Sequence, residues 1–135
     1  MQTLLGFDFG LQRIGIAVGQ SVTRTATALG TIRARDGGPD WDTISELIQT
    51  WQPDALVIGL PRPADGGISD LTRRIRRFGR QLEGRYHLPV HTIDEHLSSR
   101  AASTLQDHDT RTKGTDAVAA RIILQDWLDL HCGDQ

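Results

Sequence analysis

An aspartate stands inside the apolar run that opens the chain. In Thr3-Leu-Leu-Gly-Phe-Asp-Phe-Gly10 the apolar side chains occupy both faces, which predicts a strand covered on both sides. The run Ile14-Gly-Ile-Ala-Val18 predicts a second strand, so that the two form a hairpin with Asp8 near its tip. Burying polar atoms without partners costs about 2–7 kcal/mol, so an aspartate at this position requires an explanation.

Two explanations of Asp8 are open from the hairpin alone. It can be a turn residue that accepts backbone N–H groups from the loop between Gly10 and Arg13. It can instead be a functional carboxylate, since Gly6 and Gly10 flank it as expected where a backbone turns sharply or is approached closely. The other acidic residues of the chain favour the second explanation.

Length and composition indicate one domain without cross-links. The 135 residues carry a net charge of −2 and one cysteine, Cys132, so no disulfide can form within the chain. A domain of this length buries roughly two thirds of its unfolded surface. No stretch has the length of a membrane span, and no basic segment precedes an apolar one at the N-terminus. We expect residues 1–135 to form one cytoplasmic domain with no membrane contact.

The rest of the chain alternates between helical and strand patterns. Strands are predicted over 25–32, 55–60 and 90–95. Helices are predicted over 41–51 (with Asp40 as N-cap), 70–84, 98–106 and 115–130. Three strands followed by alternating helices and strands indicate an α/β fold with a mixed sheet and helices on both faces.

Acidic residues lie at the ends of three predicted elements. Besides Asp8, the pair Asp94 and Glu95 closes a strand, where alternation sends only one of them to the face of Asp8. Asp116 opens the apolar stripe of the last helix, although the helix dipole also favours an aspartate there. Clustered carboxylates repel unless a cation neutralises them, and oxygen ligands suit Mg²⁺ or Mn²⁺. Asp8, Glu95 and Asp116 would suit a metal-assisted phosphodiester cleavage.

Five arginines and no acid lie between Arg73 and Arg80. They surround a predicted helix whose other face is apolar. A solvated charged face is the common explanation of such a run. Contact with nucleic-acid phosphates is the alternative, because guanidinium groups match phosphate geometry.

Motifs along nearly the whole chain resemble the YqgF (RuvX) family. They are Leu5-Gly-Phe-Asp-Phe-Gly, Arg13-Ile-Gly-Ile-Ala-Val-Gly, Val57-Ile-Gly-Leu-Pro with Asp65-Gly66, Asp94-Glu-His-Leu-Ser, and Lys113 before Asp116 with Ala119-Ala-Arg-Ile-Ile-Leu-Gln125. The resemblance implies a ribonuclease H-like fold, with a five-stranded mixed sheet in the strand order 3-2-1-4-5. It also implies an endonuclease that processes the 5′ end of pre-16S ribosomal RNA. The alternative is a Holliday junction resolvase-like DNA nuclease of recombination or repair.

The resemblance also assigns roles to residues. Asp8, Glu95 and Asp116 would be the catalytic acids that bind one or two Mg²⁺ or Mn²⁺ ions. Arg13 and Lys113 would lie around them, and we expect the substrate also to meet the arginine-rich helix through Arg73, Arg74 and Arg77. The implied partners are structured RNA, such as pre-16S rRNA, or branched DNA, with the protein acting as a monomer or homodimer.

Two departures bear on this expectation. His96 stands where the family usually has an arginine, so that role is lost or moves to Arg100. Gly59 lies where RuvC and ribonuclease H themselves carry an acid, which leaves Glu95 to act from a strand about 9–10 Å from Asp8. A non-catalytic RNA-binding assembly factor therefore stays open as an alternative. The turn Gly6-Phe-Asp-Phe-Gly10 also opens actin-like ATPase folds. An ATPase of that kind would need two such domains to enclose the nucleotide, and 135 residues are too few for two.

Overall fold

Six strands and three helices make up the described part of the chain, in a computed structural model that describes residues 2–10, 12–35, 38–60, 70–94 and 115–132. The strands are β1 (Thr3–Phe9), β2 (Arg13–Gln20), β3 (Thr25–Arg35), β4 (Gly38–Pro39), β5 (Ala55–Leu60) and β6 (Val90–Asp94). The helices are α1 (Trp41–Trp51), α2 (Asp70–Tyr86) and α3 (Thr115–Cys132). The predicted helix over 98–106 lies outside the described residues.

All six strands form one sheet in the order β4-β3-β2-β1-β5-β6. β1 is antiparallel to β2 and parallel to β5, and β5 is parallel to β6. The five long strands therefore have the predicted order 3-2-1-4-5, and the mixed sheet is confirmed. The two-residue β4 adds a sixth strand that pairs only with the end of β3, at Ala34 and Arg35.

The sheet separates two hydrophobic cores. The α1/α2 core consists of Leu5, Phe7, Ile14, Ile16, Val18, Ile44, Leu56, Ile58, Leu60, Ile75, Phe78 and Leu82. The α3 core consists of Leu4, Ala17, Ala55, Val57, Ile93, Ala120, Ile123, Leu124, Trp127 and Leu128. Adjacent residues of β1 and β5 alternate between these cores, as expected for strands buried on both faces. Helices on both faces are thus confirmed.

The helices begin and end at residues of the expected kinds. Asp40 caps α1 through its carboxylate, which accepts the backbone N–H of Thr43 at 3.3 Å. The helix ends at Gln52, whose φ of 46° is left-handed, just before Pro53. Trp51 of α1 and Leu130 of α3 lie in the last turns of their helices, beyond the cores, and are exposed.

α3 packs closely over a lane of small residues in β1 and β2. A Cβ atom on Gly6 would lie 2.8 Å from the Cβ of Leu124, and one on Gly19 would lie 3.0 Å from Cδ1 of Leu128. Gly19 pairs with Leu4 of β1. The later helix residue, Leu128, therefore lies over the earlier part of β1, whereas Leu124 lies over Gly6. α3 is therefore antiparallel to β1, and its N-terminus lies at the end of the sheet where β1 finishes.

None of the helices in the described ranges combines the length and the hydropathy that crossing a bilayer requires.

Candidate active site

Asp8 lies on the face of the sheet that α3 covers, because β1 alternates and its even-numbered residues face that core. Gly15 is its direct partner in β2. On the other side Phe7 pairs with Ile58, so the next residue of β5, Gly59, lies beside Asp8. The half-buried Asp8 side chain therefore stands between two glycines, which carry no side chain of their own.

The first turn of α3 lies beside Asp8. The position of Gly6 is covered by Leu124 and by the carbonyl oxygen of Ala120, which would lie 3.3 Å from a Cβ on that glycine. Two residues of a strand and one turn of a helix each span about 6 Å. Because α3 runs antiparallel to β1, moving from Gly6 to Asp8 along β1 corresponds to moving from Ala120 back one turn to residue 116 along α3. The backbone thus brings the first turn of α3, where Asp116 is the second residue, to Asp8. The side chain of Asp116 lies outside the described atoms.

The third predicted acid, Glu95, lies outside the described residues, as does Lys113. The strand that leads to Glu95 is described: His91 stacks on Trp127 of α3 at 5.0 Å, and Ile93 packs in the α3 core. Within the described ranges no group of three or more His, Cys, Asp or Glu side chains is placed to hold a metal ion, and of the three predicted acids only Asp8 lies wholly within those ranges.

The predicted substrate-binding arginines fall on two opposite faces of the sheet. Arg13 is exposed and lies two residues from Gly15, on the face of Asp8. Arg73, Arg74 and Arg77 are exposed on α2, which packs on the other face. The structure therefore brings Arg13 close to Asp8 and places the α2 arginines across the sheet from it.

Along the strand direction the α2 arginines are nevertheless level with Asp8. The ring of Phe78 in α2 lies 5.6 Å from that of Phe7 and 5.0 Å from that of Phe9, the two neighbours of Asp8. Arg77 precedes Phe78, and Arg74 lies one helical turn earlier. The arginines thus flank the same edge of the sheet at which β1 and β5 end.

Two other polar groups prove to be structural. His91 lies between β6 and α3 against Trp127, which also stacks on His131 at 4.5 Å. Burial raises the pKa of Asp126, and the negative charge of Asp129 raises it further. Asp126 lies ten residues beyond Asp116, about 15 Å along the helix, and so takes no part in the site.

Arg33 is a residue of this face that the sequence prediction missed. It pairs directly with Arg13 across β2 and β3. The only signal in the sequence was its type, since the strand register that selects its partner contains a β-bulge between Ile16 and Ala17.

Comparison with known proteins places this geometry in a family. Residues 2–130 match the RuvX family, which is described as Holliday junction resolvase. The chain belongs to the RuvX family. A relative from Saccharophagus degradans is 47% identical over 136 residues, which cover 96% of this chain and 95% of the relative. A relative from Hydrogenovibrio crunogenus is 48% identical over 127 residues, which cover 93% and 92%. Both RuvX relatives are named "Putative pre-16S rRNA nuclease".

Solved structures of resolvases share the fold of this RuvX protein. Thermus thermophilus RuvC in complex with a Holliday junction substrate matches with a TM-score of 0.58 at 13% identity, over 98% of this chain and 97% of RuvC. The fowlpox virus resolvase with Holliday junction DNA matches with a TM-score of 0.58 at 9% identity, over 95% and 97%. At these identities the likeness establishes the fold, and the predicted ribonuclease H-like fold is confirmed.

Proposed function

We propose that this RuvX protein is a metal-dependent endonuclease that processes the 5′ end of pre-16S rRNA. The observation that carries the proposal is the meeting of Asp8 with the first turn of α3, between two glycines, at the edge where parallel strands end. Open α/β sheets bind their ligands at that edge. The names of relatives at 47% and 48% identity support RNA as the substrate.

The proposed metal ligands are Asp8, Glu95 and Asp116. Since His91 and Ile93 lie on the α3 face, the alternation of β6 favours Glu95 over Asp94 as the residue that joins Asp8. A donor set of carboxylates alone selects a hard cation, so Mg²⁺ or Mn²⁺ fits and a thiol-binding metal does not. One or two such ions would supply an activated water and stabilise the charge that develops on the phosphate.

The protein groups around the ions have separable roles. Asp8 pairs with Gly15 in β2 and follows the last residue of β1 that pairs with β5, so its backbone position is set before substrate arrives. The N-terminus of α3 adds a partial positive charge, which favours both the carboxylates and a phosphate beside them. Lys113 would steady phosphate oxygens at the cleaved bond, and Arg13 would contact the substrate backbone beside it.

We assign Arg73, Arg74 and Arg77 to the substrate outside the site. These exposed guanidinium groups lie on the other side of the sheet from Asp8. The distance between them and the Asp8 carboxylate is about 20 Å, the sum of the sheet-to-helix spacing and the helix diameter. A duplex rises 3.4 Å per base pair, so about six base pairs would reach from one surface to the other across the sheet edge. Such a span suits a structured RNA.

Asp8→Asn tests the proposed activity. We expect the variant to lose at least about 100-fold of the Mg²⁺- or Mn²⁺-dependent cleavage of a 5′-extended 16S precursor while keeping its fold, because the amide cannot replace a charged ligand. Asp54→Asn is the matched control, since Asp54 accepts the N–H of Thr3 at 2.9 Å at the opposite end of β1. Cleavage by Asp8→Asn at the wild-type rate would contradict the proposal.

The two alternatives are separated by the same assay with different substrates. A junction resolvase would cleave four-way DNA in preference to the RNA precursor and, by light scattering, would be a two-fold dimer with two sites. A non-catalytic assembly factor would bind the precursor with either metal and leave it intact. The proposed nuclease cleaves RNA with the metal as monomer or homodimer, and we expect it to act in the cytoplasm.

A further inference from the structure

Two arginines stand directly opposite each other in neighbouring strands. Arg13 of β2 and Arg33 of β3 are register partners in the antiparallel pair. We propose that they form a phosphate-binding pair that holds a second phosphate of the nucleic-acid substrate, next to the one at Asp8. The identity of the ligand rests on the proposed nuclease function, whereas the pair itself rests on the strand register.

The register places both arginines on the face of the sheet that carries Asp8. Ile32 and Ala34 pack against the α1/α2 core, so Arg33 between them projects from the opposite face. Arg13 lies two residues before Gly15, the partner of Asp8, and shares its face. The two side chains thus emerge beside the proposed metal site, on the side of it away from β5.

The pairing favours an anion between the two side chains. Directly opposed residues of an antiparallel pair have Cβ atoms about 4.5–5.5 Å apart, and like charges at such positions destabilise a sheet. Both arginine side chains are exposed to solvent. A phosphate offset from the strands could accept hydrogen bonds from both guanidinium groups.

The distance from Asp8 indicates a separate phosphate. The midpoint of the pair lies one and a half strand spacings and two residues from Asp8, which is about 10 Å between backbones. Thr31 pairs with Gly15, so its exposed hydroxyl-bearing side chain lies between Arg33 and Asp8 on the same face. A polar path therefore leads from the acidic site to the arginine pair, as a phosphodiester chain requires.

Inorganic phosphate tests the pair without any cleavage. Replacing chloride by phosphate at constant ionic strength should raise the Tm of the wild-type protein by about 2–4 °C once phosphate exceeds its dissociation constant a few-fold. Arg33→Gln and Arg13→Gln should lose this shift. Arg24→Gln is the control, because Arg24 lies at the other end of the β2–β3 hairpin and should keep it.

Binding of a short fluorescent RNA tests the substrate role. In the Asp8→Asn background, which removes cleavage, Arg33→Gln should weaken binding by about tenfold. The slope of log affinity against log salt should fall by about 0.7 for single-stranded RNA, as for one lost phosphate contact. Arg33→Lys keeps the charge and should restore the slope while recovering only part of the affinity, since it lacks the fork geometry.

The outcomes separate this proposal from the proposed nuclease function. Reduced RNA affinity in Arg33→Gln supports the pair even if the wild-type protein cleaves nothing. Unchanged affinity and salt slope in both Arg13→Gln and Arg33→Gln would overturn it, even if Asp8→Asn abolishes cleavage. A phosphate-dependent Tm shift that survives in both variants would likewise place the anion elsewhere and overturn the proposal.

Discussion

The two glycines beside Asp8 are as necessary to the proposed site as the carboxylate. Gly15 and Gly59 occupy central strand positions, where glycine costs stability and a β-branched residue would be favoured. Any larger side chain at either position would project from the α3 face into the space that a metal and a phosphate need. The proposed site would account for the stability lost at these positions.

Asp126 lowers the stability of the fold for a different reason, the burial of its carboxylate. Its Oδ2 atom is buried and accepts no hydrogen bond from the described residues. Burial, and to a lesser extent repulsion from Asp129, raises the pKa of Asp126 above the usual 3.8. The Asp126 carboxyl group therefore binds its proton more tightly in the folded protein than in the unfolded chain. The charged form opposes folding above the folded-state pKa, and this opposition disappears as the pH falls through that value toward 3.8.

Asp126→Asn should raise the free energy of unfolding near pH 7. The gain should be no more than about 1 kcal/mol, because the carboxyl group is only partly buried. The gain should vanish below the usual pKa of 3.8, where both states of the wild-type protein are protonated. Urea unfolding as a function of pH measures it. Asp42→Asn, in the first turn of α1, removes a charge that the helix dipole favours and should lower stability at pH 7 instead.

At the scale of elements, the position of α3 on the sheet is set by close packing and by hydrogen bonds. Its backbone lies close to β1 at Gly6, and the side chain of Gln125 fixes it to the β2–β3 connection. The Nε2 of Gln125 donates to the carbonyl oxygen of Arg24 at 2.7 Å, and its Oε1 accepts the N–H of Ala26 at 3.0 Å. Close packing and polar anchoring together set the position of the first turn of α3 relative to Asp8.

Gly6→Ala should disturb that docking. The new Cβ would lie 2.8 Å from the Cβ of Leu124, so the helix must shift, at a cost of about 1–3 kcal/mol in unfolding free energy. Gly84→Ala in α2 meets nothing within 4 Å and should add about 0.5–1 kcal/mol by its helix propensity. Chemical denaturation checks both changes, and Mn²⁺ titration should show weaker binding only in Gly6→Ala. Equal stability of the two variants would show that α3 adapts freely.

The elements themselves were predictable because their hydrophobic periods are clear. The hairpin, the buried strand β5 and the amphipathic α2 follow from alternation, continuous apolarity and helical spacing respectively. The strand β3 is longer than predicted, and its alternation is broken by the bulge in its pairing with β2. Leu29 is the extra residue, so Ala26 faces α3 whereas Ile32 faces the other core.

The same bulge explains why the site was only partly predictable. Uninterrupted alternation from Ala26 would have put Arg33 on the face opposite Asp8, because one extra residue reverses every later side chain. Asp8 and Arg13 needed only the short hairpin, which fixes their register locally. Glu95, Asp116 and Lys113 stay predictions as ligands or phosphate contacts, since their side chains lie outside the described part of the chain.

In the described part of the molecule, the proposed active site and the arginine-rich surface of α2 lie on opposite sides of one sheet. Asp8 and α3 share one face, and the exposed arginines of α2 lie beyond the other. A substrate that touches both must pass around the edge where β1 and β5 end. The proposed function therefore predicts a dependence on the length and folding of the RNA, because a short single strand would reach one surface only.

The triple variant Arg73→Gln, Arg74→Gln, Arg77→Gln tests this arrangement. The slope of log affinity against log salt for the folded precursor should fall by about 2, as for three lost phosphate contacts. A short single-stranded RNA should lose little affinity. Arg85→Gln is the matched control, since its guanidinium already stacks over Trp41 at 4.1 Å and should affect stability rather than the slope. An unchanged slope with the precursor would remove α2 from the substrate path.

The separation of the two cores has a consequence for how such proteins diversify. Of the described residues, no side chain belongs to both cores, so a substitution in the α1/α2 core removes no side chain from the α3 core. Substitutions on the α2 side can therefore accumulate while the face that carries the proposed active site keeps its packing. One scaffold of this design could serve ribosomal precursors in one organism and branched DNA in another, with the reaction itself held constant.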